Sequence, residues 1–183
     1  MSGIITDQNV AYHEAGHAVM FFYCNRSWEY VTIMETEKWG GAIKSRWRAT
    51  ADYDKRLEWD NAINEMECSL AGQIAYQIDQ GDEDNQPDWE HSGGDIQNVL
   101  DLICELIHNK GTRDDKEWDD EVYPLFEWMR ARTRSFLEDP VHWAAVDALA
   151  KELIKKRRIE YIKCVRIIQD ATAAHLDAGR AIK

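Results

Sequence analysis

The segment from Val10 to Tyr23 constrains this chain more than any other, because apolar side chains lie on nearly every side of it. A helix with that pattern is buried rather than laid on a surface. The same segment nevertheless carries His13, Glu14 and His17. Because buried polar side chains need partners, the fold must supply one for both imidazoles, and a metal ion is one such partner.

His13 and His17 are four residues apart, so they project from the same face of a helix, one turn apart. Zinc binds neutral imidazole nitrogens, and a catalytic zinc site takes three protein ligands and leaves one position for water. Glu14 completes the pattern His-Glu-x-x-His, in which the glutamate can act as general base on that water. The alternative is that these residues merely share an amphipathic helix. The spacing predicts a Zn²⁺ site whose third ligand is open.

Length and charge limit the classes of protein to consider. The chain has 183 residues, enough for one domain with a substantial core and short for two, so we expect a single domain over residues 1–183. The net charge of −12 argues against a nucleic-acid binder, since phosphate contacts need a basic face. The apolar stretches are shorter than a membrane span and no signal-like leader is present. We expect a cytoplasmic protein without membrane insertion.

The four cysteines are widely scattered in the sequence, at Cys24, Cys68, Cys104 and Cys164. None belongs to a C-x-x-C pair, which argues against a zinc site of the cysteine type. The spacing predicts reduced and mostly buried thiols rather than a disulfide framework.

Two short segments predict a small antiparallel β-hairpin. The stretch from Trp28 to Met34 is rich in β-branched and aromatic residues, and the stretch from Gly40 to Trp47 can return beside it as a second strand. One interpretation is an edge that pairs with an extended peptide through main-chain hydrogen bonds. The other is a structural hairpin that covers the core.

The rest of the chain is predominantly helical in its periodicity. A long helix is predicted from Lys55 to Gln80, where Ala71, Gly72 and Ala75 are small enough for another helix to approach closely, and the histidine-bearing helix is a candidate. Further helices are predicted over 122–137, 141–154 and 160–176, and the basic run 155–158 reads as a solvated helix end. We therefore predict an α+β fold, a helix bundle with one small antiparallel hairpin near the zinc-binding helix.

The third ligand is sought in the segment from His91 to Leu100. Its apolar period places Asp95 at or near the start of a helix, where an aspartate usually caps free backbone N–H groups. His91 could equally be a loop histidine. Farther along the chain, His142 is a weak candidate for polarising a substrate carbonyl.

Several of these stretches resemble the FtsH-type zinc metallopeptidase family. The run 11–19 is similar to the family signature. The segment from Val31 to Ile33, together with Gly40 and Gly41, is similar to the strand pair of the family. The segment from Leu70 to Ala75 is similar to a Gly-Gly-Arg-Ala-Ala segment there. The run Ser92 to Ile96 matches the position at which the family carries an aspartate ligand before a helix.

The resemblance implies a complete site and a substrate class. His13, His17 and Asp95 would be the ligands of Zn²⁺, with His91 as the reserve candidate for the third, and Glu14 would be the general base. The substrates would be polypeptides, so the implied activity is that of a metalloendopeptidase.

The chain also departs from the family pattern. It has Gln73 to Gln77 where the family has Arg-Ala-Ala-Glu-Glu, and Met34-Glu35 where the family strand ends in Pro-Arg. It has no G-x-x-x-x-G-K-[ST] motif and no membrane anchor, so we expect a free-standing peptidase domain without its own ATPase. Such an enzyme would cleave unfolded chains, or substrates delivered by a separate ATPase or chaperone.

Two alternatives stay open from the sequence. The first is a non-catalytic metal-binding adaptor or regulatory module on the same fold, which the missing motor and the change at Tyr76 and Gln77 favour. The retained Glu14 opposes this alternative, because a structural zinc site needs no general base. The second is a hydrolase of another family that uses His-Glu-x-x-His.

Overall fold

The computed structural model describes residues 6–34, 41–45, 55–82, 87, 89–108 and 121–181. Six helices and a three-stranded antiparallel sheet make up this part, so the prediction of a predominantly helical α+β fold is confirmed. In chain order the elements are α1 (Asp7–Tyr23), β1 (Trp28–Thr32), β2 (Ala42–Ser45), α2 (Lys55–Gln80), α3 (Trp89–His108), α4 (Tyr123–Glu138), α5 (Pro140–Lys156), β3 (Arg158–Glu160) and α6 (Tyr161–Ala181).

Helix α1 lies at the centre of the fold. It contacts α2, α5, α6 and both strands β1 and β2, and its residues from Glu14 to Met20 are all buried. Thr6 caps its N-terminus by accepting a hydrogen bond from the backbone N–H of Asn9. The apolar pattern around this segment therefore predicted its burial correctly, and the helix brings its histidines into the interior.

Small residues let α1 and α2 pack closely, as predicted. A Cβ atom added to Gly16 would lie 2.5 Å from the Cβ of Ala75 and would collide with the carbonyl oxygen of Ala71. Helices approach this closely only where the facing side chains are small. The contact places the buried face of α2 directly beside the histidine pair of α1.

The sheet has the order β2-β1-β3, with β1 antiparallel to both neighbours. The predicted hairpin of β1 and β2 is confirmed where it lies in the described residues, with Val31 opposite Ile43. The third strand was missed. Lys155 and Lys156 form the exposed last turn of α5, as predicted for the run 155–158, but Arg158 already belongs to a strand. Arg157 adopts φ 60° after α5, and the chain continues at once as β3, in which Ile159 pairs with Val31.

Helix α3 begins earlier than the sequence predicted. The periodicity placed Asp95 at or near a helix start, but α3 begins at Trp89. Ser92, Gly93 and Gly94 are therefore helical, although glycine and serine are weak helix formers. Asp95 lies inside the helix, so the usual explanation that an aspartate caps a helix does not apply to it.

The C-terminal helices follow the predicted boundaries closely. α4 ends before Asp139, whose side chain accepts a hydrogen bond from the backbone N–H of Val141 at 2.9 Å and caps α5, with Pro140 as its first residue. A core of buried apolar side chains runs through all six helices and strands β1 and β3. Within the described residues, no helix is both long enough and apolar enough to cross a membrane.

Candidate metal centre

The two histidines of α1 meet as the spacing predicted. The Nε2 atoms of His13 and His17 lie 3.0 Å apart, and the planes of the two rings are inclined by 76°. Both nitrogens point away from the α1 backbone toward α3. The helix alone therefore supplies two nitrogen ligand atoms for one ion.

Asp95 of α3 brings the third ligand atom to the same point. Its Oδ2 atom lies 3.4 Å from Nε2 of His13 and 3.4 Å from Nε2 of His17. Within the described residues, these three side chains form a group that could hold a metal ion. The structure thus places the three side chains named from the sequence side by side, although α1 and α3 are separated in sequence by a hairpin and a long helix.

A backbone contact fixes the tautomer of one histidine. Nδ1 of His17 donates a hydrogen bond to the carbonyl oxygen of Cys68, at 2.6 Å. Because a carbonyl oxygen can only accept, Nδ1 carries a proton, so once Nε2 gives up its own proton to bind an ion, its lone pair is directed at the ligand group. Ion-binding histidines are typically held in this way by an outer partner.

The donor set fits a small divalent cation. Two imidazole nitrogens and one carboxylate oxygen are ligands typical of zinc. In a tetrahedral site with bonds of about 2.0–2.1 Å, ligand atoms lie roughly 3.3 Å apart, and here the separations are 3.0, 3.4 and 3.4 Å. The exposed fractions rise from 11% for the His17 side chain to 20% for His13 and 32% for Asp95, so solvent can reach the group from the side of α3.

Charge also favours a cation at this point. Burial lowers the pKa of His17, but the Asp95 carboxylate and smaller contributions outweigh that effect and raise the pKa to about 9. Burial raises the pKa of Asp95, yet the neighbouring His17 and His13 hold it well below its usual range. Asp95 is therefore ionised near neutral pH and stabilises positive charge between the imidazoles.

Glu14 lies beside the group but does not belong to it. Its side chain is only 6% exposed, and burial raises its pKa, while His13 and His17 act in the opposite direction. Gly41, the residue before β2, passes so close that an added Cβ would lie 2.7 Å from Oε1 of Glu14. The carboxylate is thus held between the histidine pair and the start of a strand.

Gly72 of α2 forms the floor of the group. An added Cβ at this position would lie 2.7 Å from Nε2 of His13 and would overlap Nε2 of His17. Only a residue without a Cβ leaves room for both imidazoles there. The sequence marked Gly72 as small, but as a helix-packing residue rather than as part of the site.

Of the remaining candidates from the sequence, one lies outside the described part of the structure and the other lies elsewhere in the fold. The side chain of His91 lies outside the described residues. The ring of His142 stacks on that of Phe136, with centroids 3.9 Å apart. Its Nδ1 donates a hydrogen bond to the carbonyl oxygen of Phe136, at 2.8 Å. That environment gives His142 a packing role in the interface of α4 and α5.

Two contributors were missed by reasoning from the sequence. The carbonyl of Cys68 and the backbone of Gly41 both act through main-chain position rather than through a side chain. For Gly41 the paired glycines offered a weak signal, because adjacent glycines often mark a close backbone approach. For the carbonyl of Cys68 the sequence offered none.

Comparisons with protein-family models and with curated proteins found no match to this chain. A function for the chain therefore rests on the chemistry of the site.

Proposed function

We propose that this protein is a zinc-dependent metalloendopeptidase that hydrolyses peptide bonds in unfolded or delivered polypeptides. His13, His17 and Asp95 would hold Zn²⁺, and Glu14 would act as general base. The single observation that carries the proposal is the buried Glu14 carboxylate next to three converging ligand atoms. A site with only a structural role has no use for a base in that place.

The chemistry divides between the ion and the chain. Bound Zn²⁺ would supply Lewis acidity for the scissile carbonyl and lower the pKa of water toward neutrality. The Glu14 carboxylate accepts a proton from the water that attacks the carbonyl carbon, and then donates it to the nitrogen of the leaving amine. Because burial raises the pKa of Glu14, its carboxylate is a stronger base than one in open solvent.

The position of β2 supports an extended polypeptide as substrate. β2 pairs with β1 along one edge, and the sheet described here ends with β2 on the other side. Extended peptides bind to such edges through main-chain hydrogen bonds. Since Gly41, the residue before β2, lies so close to Glu14 that an added Cβ would meet its carboxylate, a peptide paired with this strand would run past the base. Because a folded protein pairs most of its extended segments within its own sheets, unfolded or delivered chains are the expected class.

The proposal is tested by replacing Glu14 with glutamine, which keeps the size of the side chain and removes the base. We expect Glu14→Gln to bind Zn²⁺ as the unmodified protein does, and to lose at least a hundredfold in the cleavage rate of an unfolded casein substrate, because general bases typically contribute a factor of about 10²–10⁴. Glu105→Gln, on an exposed position of α3, is the matched control and should retain full activity.

The same assay separates the alternatives. Cleavage retained by Glu14→Gln would exclude the proposed mechanism. Zinc binding by the unmodified protein with no cleavage of unfolded substrates, either alone or with added unfoldase and ATP, would instead favour the metal-binding adaptor.

A further inference from the structure

An open groove of about 520 Å³ lies between β3 and the N-terminal half of α6. The strand lines it with Arg158, Ile159 and Glu160, and α6 lines it with side chains from successive turns. Because the sheet has the order β2-β1-β3, the groove lies at the edge opposite β2, the strand that follows Gly41. It contains none of the ligand residues, so it is separate from the candidate metal centre.

The backbone of β3 can accept a further strand. The N–H of Ile33 donates a hydrogen bond to the carbonyl oxygen of Arg157 at 2.8 Å. Since hydrogen-bonded pairs alternate along an antiparallel ladder, Ile159 also bonds to β1, whereas the backbone N–H groups of Arg158 and Glu160 point outward. Within the described residues, no strand lies on that outer side. Exposed edges of this kind pair with extended peptides.

The wall formed by α6 combines apolar and cationic side chains. Ile162 and Arg166 lie one turn apart on the same face of the helix, and Lys163 and Ile167 lie beside them. Ile162 is 75% exposed, more than any other large apolar side chain in the described residues. A single exposed isoleucine on a flat surface would need no explanation. This one lies in a groove beside an open strand edge, where an incoming apolar side chain can cover it.

The charge around the groove is opposite in sign to that of the whole chain. Residues 152–170 carry six lysines and arginines and three carboxylates, whereas the net charge of the protein is −12. Arg158 and Lys163 already form ion pairs with carboxylates of the chain, with N···O distances of 2.9 and 3.2 Å. Arg166 forms no ion pair with any described residue. An incoming carboxylate would therefore meet a cation that is not yet neutralised.

We propose that this groove is a docking site for an acidic, extended segment of a partner protein. The segment pairs its backbone with the outer edge of β3, covers Ile162 with an apolar side chain and places a carboxylate beside Arg166. An extended chain can do all three, because its side chains alternate between two faces while its backbone groups point sideways. A nucleic acid offers phosphates but no backbone to pair with a strand, and the acidic remainder of the chain repels it.

The docking site is tested by fluorescence anisotropy with a labelled peptide of alternating glutamate and valine, added to the full chain with a chelator present so that no peptide is cleaved. We expect Arg166→Glu to weaken binding about tenfold and Ile162→Ala about threefold. Both side chains are exposed, so their replacement leaves the fold intact. Lys151→Glu, the matched charge reversal at an exposed lysine of α5 outside the groove, should bind the peptide as the unmodified protein does.

Peptide variants show which features the groove recognises. A peptide with lysine in place of glutamate, and one methylated on every backbone nitrogen, should each bind about tenfold more weakly, because the first reverses the charge and the second removes the main-chain donors. Amide hydrogen exchange at Arg158 and Glu160 should slow when the acidic peptide is added.

Four results would overturn the assignment of the groove as a docking site for an acidic segment. The first is no binding of the acidic peptide, and the second is equal affinity in Arg166→Glu and the unmodified protein. The third is slowed hydrogen exchange in β2 instead of β3. The fourth is tighter binding of an oligothymidylate than of the peptide, lost in Arg166→Glu, which would identify a site for nucleic acid.

Discussion

Gly72 is the residue on which the geometry of the ligand group depends most closely. It lies on α2, beside the imidazoles of His13 and His17, and as a glycine it has no side chain that could bind an ion itself. The ring nitrogens occupy the space in which any other residue would place its Cβ. A residue that binds nothing therefore decides whether two others can bind an ion.

We predict that Gly72→Ala weakens Zn²⁺ binding by at least tenfold. The added methyl group would displace the ring of His17 and crowd that of His13, and bonds of about 2 Å tolerate little displacement. Calorimetric titration of Zn²⁺ measures the change.

Gly93→Ala is the matched control for this substitution. Gly93 is helical, and nothing lies within 4 Å of a Cβ added there. The control should bind Zn²⁺ normally and gain about 0.5–1 kcal/mol of unfolding free energy, because alanine is the better helix former. Normal binding by Gly72→Ala would show that the imidazoles can move freely, contrary to the packing described.

Some residues of the site could be predicted from the sequence, and others could not. The spacing of His13, Glu14 and His17 was sufficient by itself to predict that these side chains lie close together, because helix geometry fixes which side chains share a face. Asp95 was predicted as the third ligand only through the resemblance to a family, since its position near a predicted helix start indicated a helix cap. The hydrogen bond from His17 to the carbonyl of Cys68 could not be predicted at all, because every residue has a carbonyl and only tertiary packing decides which one lies beside the imidazole.

At the scale of elements, the contact between α1 and α2 carries the site. Gly16 and Ala75 allow the two helices to approach so closely that Gly72 and Cys68 reach the histidines. Packing of this kind has little room for adjustment, because protein interiors are close-packed.

We predict that Gly16→Ala destabilises the fold by about 1–3 kcal/mol, the usual cost of overpacking a well-packed interface. The new methyl group would collide with the backbone of α2 at Ala71, and a backbone cannot rotate away as a side chain can. Urea unfolding measures the loss. Stability equal to that of the unmodified protein would mean that the helices are farther apart than described.

The junction of α4 and α5 depends on the side chain of Asp139, which caps α5. Asp139→Ala removes the side chain that accepts from the N–H of Val141, and should cost about 1 kcal/mol of unfolding free energy. Asp139→Asn keeps an acceptor oxygen and should recover most of the loss. Equal losses in both variants would indicate that the cap contributes nothing.

The elements themselves were mostly predictable, and each of the two exceptions has its own cause. Long helices such as α2 show their period over many residues, and Asp139-Pro140 marks a boundary by local chemistry. β3 has only three residues between two helices, too few to show any period. The early start of α3 was missed because Gly93 and Gly94 read as a loop, although the surrounding fold holds them in a helix.

At the scale of the whole molecule, an ion in the ligand group would join α1 to α3. The two helices are far apart in sequence and supply two ligands and one ligand respectively. Such an ion binds only to the folded chain, so its binding free energy adds to the free energy of unfolding.

We predict that removing the ion with a chelator lowers the melting temperature by about 5–10 °C. Zn²⁺ at a hundred times its dissociation constant contributes about 2.7 kcal/mol, and in a chain of this size each kcal/mol corresponds to about 2–4 °C. Asp95→Ala lacks one ligand and should respond to the chelator much less. An identical melting temperature with and without chelator would show that no ion joins the two helices.

The most direct measurement is a Zn²⁺ titration of the metal-free chain and of three variants. We expect one ion bound per chain, unchanged binding in His91→Ala, and a loss of at least a hundredfold in affinity in both His13→Ala and Asp95→Ala. Binding that survives in Asp95→Ala and disappears in His91→Ala would contradict the ligand group formed by His13, His17 and Asp95.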